Sequence, residues 1–237
     1  GMLTKTGTGT LVLSGDSSSF TGNTNVNLGS TRLDGATLGK ITGNQALNIA
    51  AGASFGGHGT VGGKAVFADD STLFGGSGQQ LAFSQGLTLG TDSNVDVTLH
   101  GGPSTNAIFD VTGDLALNGT LNIAPGSVVG VGVYRIFDYT GDLTANTMTI
   151  GTLAEGDQSN YELQTSINHQ VNLISNAGRD FFFWDGTAQT GDGSVHGGNG
   201  DWNAVDINWT GSDGSVNSNW RDDTFAVFGG AAGDVKI

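Results

Sequence analysis

The chain has 237 residues, of which 42 are glycine, 2 are proline and none is cysteine, and only 13% are charged. Glycine without proline or a three-residue period excludes a collagen triple helix, and 36% hydrophobic residues set in alternation exclude a disordered linker. An excess of 22 acidic over 8 basic residues gives a formal charge of −14, which leaves no footing for nucleic acid, and the lack of cysteine excludes a disulfide framework.

The chain opens GMLTKTG, with no charged head and apolar core, so no secretory leader is read there. Gly1 reads as a tag remnant, and an ending in mid-pattern at VKI as a piece of something longer. Residues 7–29, GTGTLVLSGDSSSFTGNTNVNLG, place Leu11 and Leu13 on one face and Val12 on the other. The Ser/Gly run at 14–19 turns the chain into a second strand at 25–28. A phrase then recurs in which an apolar residue is followed by two residues of any kind, Gly or Asp, Ala or Ser, any residue, and a second apolar residue. It fits 49–55, 67–73, 89–95 and 123–129. With Leu28 as an earlier member, its first apolar positions fall at 28, 49, 67 and 89. Such spacing predicts stacked coils whose strands pair in parallel while their corners vary in length.

The pattern is plainest over 111–126, VTGDLALNGTLNIAPG. There Leu115, Leu117, Leu121 and Ile123 alternate with Ala116, Asn118, Thr120 and Asn122 around a turn at Gly119. From Val131 the strands lengthen and carry Tyr134, Phe137, Tyr139 and Tyr161, so 131–175 is expected to close or thicken one end of the stack. A second change comes at 176–180, after which all four tryptophans appear, Trp184, Trp202, Trp209 and Trp220. No apolar run reaches the roughly 18 residues of a membrane helix, and no apolar segment with a 3.6-residue period is long enough for an amphipathic helix.

These phrases resemble a known family. GTGTLVLSG followed by FTGNTNV resembles the passenger-associated repeat of bacterial autotransporters. LGSTRLDGATL, GGHGTVGG, DVTGDLALNGTLNIAPG, GVYRIFDYTGDLT and YELQTSINHQVNLI resemble the autochaperone region of such passengers, and FFWDG, GNGDWN, INWTG and DDTFAVFGG resemble the opening of a further repeat block. The resemblance implies an all-β, right-handed parallel β-helix, a solenoid with a strand-rich capping region, over 1–176. Its autochaperone-like part would cover about 29–175, and 177–237 would be a Trp/Gly-rich β block that starts a further repeat module. Family members place the autochaperone region directly before an outer-membrane barrel; here the Trp-rich block follows it, so it reads as an internal copy. The function implied is that of a non-catalytic, elongated adhesin scaffold exported by type V secretion. It would be displayed at or released from the surface of a Gram-negative cell, and would assist its own folding during secretion. The partners implied are host-surface or extracellular-matrix molecules or glycans, the protein's own C-terminal outer-membrane barrel, and other copies of the chain.

Candidate chemistry is sparse. The string GDSSS at 15–19 lacks the partner motif of a serine esterase, and Ser17 is expected to be a turn residue. GGNGDW at 197–202 has Trp202 where a calcium nonapeptide needs aspartate. A β-helical polysaccharide lyase or glycosidase would need clustered carboxylates. Asp69-Asp70 and Asp222-Asp223 are the closest pairs in sequence, and neighbours on a strand point to opposite faces unless a corner intervenes. Four separated histidines, His58, His100, His169 and His196, form no metal-ligand motif. No catalytic, cofactor-binding or metal-binding residue is assigned. A carbohydrate-stacking platform is the remaining alternative, with Trp202, Trp209 and Trp220 as its candidate residues and Trp220, beside Arg221, as the most exposed; the competing reading makes all of them core plugs.

Overall fold

A computed structural model describes residues 1–154 and 156–237. Among them the structure is all-β, and the single helical piece is a 3-10 turn at Gln158–Asn160. Seven parallel strands make a first sheet: Leu3–Lys5, Thr24–Val26, Ala46–Ile49, Lys64–Phe67, Leu87–Leu89, Leu115–Leu117 and Leu143–Asn146. A second, larger sheet begins with the short strands Thr10–Leu13 and Asp16–Ser17 laid along the long strand Gly29–Leu38, continues to a second long strand, Ala53–Val61, and then divides. One end of Ala53–Val61 pairs with Thr72–Gly76 and the other with Leu81–Phe83, so two arms rise from it. The first arm continues through Asn94–Thr98, Thr120–Ile123 and Thr149–Ile150, and the second through Phe109–Val111 and Gly132–Tyr139. Beyond Val61 each circuit of the chain visits three faces in one order: first sheet, first arm, second arm.

Parallel register puts like upon like. In the first sheet Leu47, Ala65, Leu87 and Leu115 form one inward column, and Val26, Ile49, Phe67 and Leu89 another. Phe55, Leu73, Val95 and Leu121 line the first arm, and Leu81, Phe109 and Phe137 the second. All of these are buried. Each large one contributes roughly 1.5–3 kcal/mol by leaving water, which lets short strands of low intrinsic stability hold together.

The recurring phrase is a corner. Its Ala/Ser position is buried in all four copies, at Ala53, Ser71, Ser93 and Ser127. Each backbone N–H there donates to the carbonyl three residues earlier, and each of the three serine hydroxyls donates to the same carbonyl. The Gly/Asp position has positive φ at Gly52, Asp70 and Gly126, a conformation cheap for Gly and tolerated by Asp. Three of the four copies lie above one another as expected. The series needs two corrections. Leu28 is exposed and falls beyond the strand, because Val26 is the residue in register with Ile49. The copy at 123–129 turns a different corner, since Ile123 stands on Val97 in the first arm. Ser17 also departs from expectation: it ends a two-residue strand paired with Gly29–Leu38, and the turn follows it.

The long strands bend where the two arms diverge, and glycine makes the bend. Gly57 has φ +101, and a Cβ there would come within 2.1 Å of the Leu33 carbonyl oxygen. At the far end, Gly132–Tyr139 carries Gln170–Ser175 antiparallel along its outer edge, and Tyr161–Gln164 pairs antiparallel with that strand. The free edge of the second arm is thereby covered.

Candidate interaction surface

The strands after Phe181 pair only among themselves. Phe181–Trp184 lies between Trp209–Thr210, antiparallel, and Phe225–Val227, parallel, while Asn217–Ser218 flanks the former. A small ribbon joins Gly200–Asp201 to Val235–Lys236. This block rests on the covering hairpin. Gln164 Nε2 and Ser166 Oγ both donate to the Ser212 carbonyl, the Val195 N–H donates to the Ser166 carbonyl, and Ile167, Ile174, Phe183 and Val195 share a small apolar core.

The four tryptophans form one cluster. Ring centroids lie 5.2 Å apart for Trp184–Trp209, 4.9 Å for Trp202–Trp209, 5.0 Å for Trp202–Trp220 and 4.7 Å for Trp209–Trp220. Their edge-on and tilted packing suits the ring quadrupoles. Trp209 has 0% of its surface exposed, so no face of it is left for a ligand. Trp184 is equally buried, with its indole N–H donating to the Gly198 carbonyl at 2.9 Å. Trp202 and Trp220 are half-buried, each touching two other tryptophans. Phe228 reaches solvent furthest, 54% exposed and packed on Trp184, Trp202 and Trp209. Its place within DDTFAVFGG carries no pattern that singles it out.

A buried carboxylate ties the turns of the block together. Asp185 accepts the His196 backbone N–H at 2.7 Å and the Asn217 amide at 2.9 Å, with His196 Nδ1 also 2.9 Å away. The other imidazole nitrogen lies 3.4 Å from Asp192 Oδ2. An imidazole held between two carboxylates activates no nucleophile; it pins the turn after Trp184 to the segment before Gly197. The GGNGDW segment is likewise occupied, Gly198 with the Trp184 indole and Gly200 with the Asp234 carbonyl.

Register brings together one carboxylate pair that lies 28 residues apart in sequence, Asp110 and Asp138, on the outer face of the second arm. Burial first, and the Asp138 carboxylate second, hold the Asp110 carboxyl above the ordinary carboxylate range. Asp138 is itself engaged by Arg135 Nη1 at 2.6 Å. The neighbouring pairs weighed from sequence are corner residues: Asp70 and Asp223 both have positive φ, and Asp69 Oδ1 accepts the Asp92 N–H. Among the described residues no group of three or more His, Asp or Glu is placed to hold a metal ion.

The family model described as passenger-associated-transport-repeat matches residues 3–38. Over an alignment of 262 residues taking in 100% of this chain, the sequence is 34% identical to a protein of Brucella suis biovar 1 (strain 1330) named "Adhesin BmaC autotransporter". The chain spans about 7% of that relative's length. No solved structure matches it.

Proposed function

We propose that this chain, which is a segment of an autotransporter passenger, works as a non-catalytic adhesive scaffold that holds contact surfaces away from the cell. The family sets its place at the cell surface or outside a Gram-negative bacterium. Within this reading the three-faced stack is a right-handed parallel β-helix spanning 1–176, and 177–237 begins a further module. Each new circuit buries its apolar column on the one before, so the first circuits to fold outside the membrane template the rest, and the segment assists its own export. Trp184 and Trp209 serve the end block as core, while Trp202 and Trp220 are its partly exposed members.

The observation that carries the adhesive reading is the similarity along the whole chain to a protein named an adhesin. The outward positions support it. Asn25 and Asn48 join by an amide hydrogen bond, and Asn122 donates to both Asn94 and Asp96, which gives a polar, hydrogen-bonded exterior. Beads coated with the purified chain should adhere to host epithelial cells or to matrix-coated wells above the level of albumin-coated beads. Equal binding by the two would overturn the adhesive role, and shortening of polysaccharides incubated with the chain would replace it with catalysis.

A further inference from the structure

The outward face where the two arms diverge carries a groove that the scaffold reading does not use. One outward row crosses Val12, Arg32, Gly56, Phe74, Asp96 and Asn122, each in register with the next. The corresponding outward rows on the other faces are Asn25, Asn48, Val66, Thr88 and Ala116, and Thr60, Ala82, Asp110 and Asp138. Phe74 is the one aromatic side chain in these three rows, half-buried among residues that are otherwise polar or small aliphatic.

Its strand neighbour supplies the reason for a groove. The middle strand carries Gly56 and Gly57, so the side chains of the flanking strands meet across a trench. The Phe74 ring leans over Gly56, where a Cβ would come within 2.6 Å of it, and the Arg32 stem lies along Gly57, 3.0 Å from where its Cβ would be. Gly75 and Gly76 extend the floor, and Ser77, Gln79, Thr98 and His100 form the far wall around a space of about 510 Å³. Ser77 Oγ accepts the His100 backbone N–H at 2.8 Å, which fixes that wall. The Arg32 guanidinium is held only loosely, 3.9 Å from Asp34, and both side chains are about half exposed, so it is available. A volume of this size falls within the roughly 300–1,000 Å³ typical of small-molecule sites.

We propose that this groove binds one or two pyranose units of a glycan. A sugar ring has one apolar face and a rim of hydroxyls, which suits a single aromatic ring set among amide, hydroxyl and imidazole groups on a glycine floor. Arg32 takes a hydroxyl pair of a neutral unit or the carboxylate of a uronic acid unit. The proposal names the ligand class of the adhesive surface and rests on that reading for its biological setting, though not for the binding itself.

The test uses the whole chain with two soluble probes, cellohexaose and a hexamer of galacturonic acid, read by saturation-transfer NMR and calorimetry. Binding of either is expected, with Phe74→Ala weakening it about tenfold through loss of the stacking surface. Arg32→Gln should weaken the acidic probe more than the neutral one, because Gln keeps a hydroxyl contact and loses the charge. Thr98→Phe, which fills the groove from its wall, should abolish binding, and Trp220→Ala should not change it. All four variants alter exposed or half-exposed side chains, and unchanged far-UV circular dichroism checks that they fold. Silence from both probes, or loss of binding on Trp220→Ala with Phe74→Ala unaffected, would overturn the groove. Beads that still adhere to cells while neither probe binds would remove the groove and leave the adhesive scaffold standing; failure of both assays would remove both.

Discussion

Asp110 and Leu115 stand five residues apart and show how side-chain direction decides a residue's part. Asp110 points outward over Asp138, and burial together with that neighbour raises its carboxyl above the ordinary range. A carboxyl raised in the folded state holds its proton better there than in the unfolded chain. Its favourable contribution is therefore present in acid and is lost as pH rises through the raised value. Asp110→Asn is expected to raise the thermal midpoint at about pH 7 and to leave it unchanged near pH 3, where the native carboxyl is already protonated. Leu115 points inward, fully buried between Leu87 and Leu143. Leu115→Ala should cost about 2–5 kcal/mol, read as a lower urea midpoint, and Leu115→Asp should leave no folded stack by circular dichroism. Leu115 was legible from the alternation alone. The Asp110–Asp138 pair was not, because the loops between circuits vary in length and only the folded register sets the two side by side.

The corner is the element that repeats, and its legibility was uneven for a physical reason. The phrase ending in Ala or Ser describes a turn with a buried small residue, and a turn can serve at any corner. Copies at 49–55, 67–73 and 89–95 occupy one corner, whereas 123–129 occupies another, and sequence carries no mark of which. Nor did periodicity reveal that the second sheet divides, since that depends on how the strand turns at Gly57. Gly52 and Gly57 separate the two demands on glycine. Gly52 has φ +74 with open space around it, whereas Gly57 has φ +101 and a carbonyl where its side chain would go. Gly52→Ala should cost about 1–2 kcal/mol, the backbone penalty alone. Gly57→Ala should cost distinctly more, because the Leu33 strand must also shift. Paired urea titrations would decide between this and a common cost.

At the scale of the whole molecule there are two cores of different make. The stack is held by aliphatic and phenylalanine columns, and the end block by its tryptophans. All four tryptophans lie beyond residue 180, so indole fluorescence reports the end block while far-UV circular dichroism reports the stack. The block touches the stack through the covering hairpin and a four-residue apolar patch. The two signals should therefore give different midpoints in urea, and coincident transitions would mean that the interface couples the two into one cooperative unit. Composition alone places a change near 176–180. What joins the two parts, Ser212 hydrogen-bonded to Gln164 and Ser166, lay in residues with no pattern to read.

Parallel register has a mechanical consequence. The hydrogen bonds between successive circuits run along the stack, about 4.8 Å per layer, so a load applied between the two ends opens one layer at a time instead of shearing a whole row together. The circuit from Leu87 to Leu115 holds 28 residues and would lengthen by roughly 90–100 Å when it opens. An optical trap pulling on the two termini should record a sawtooth of such steps at low, similar forces, and a single abrupt rupture would contradict it. A stack of this kind gives way under tension and reseats when the pull slackens, where a stiffer rod would snap.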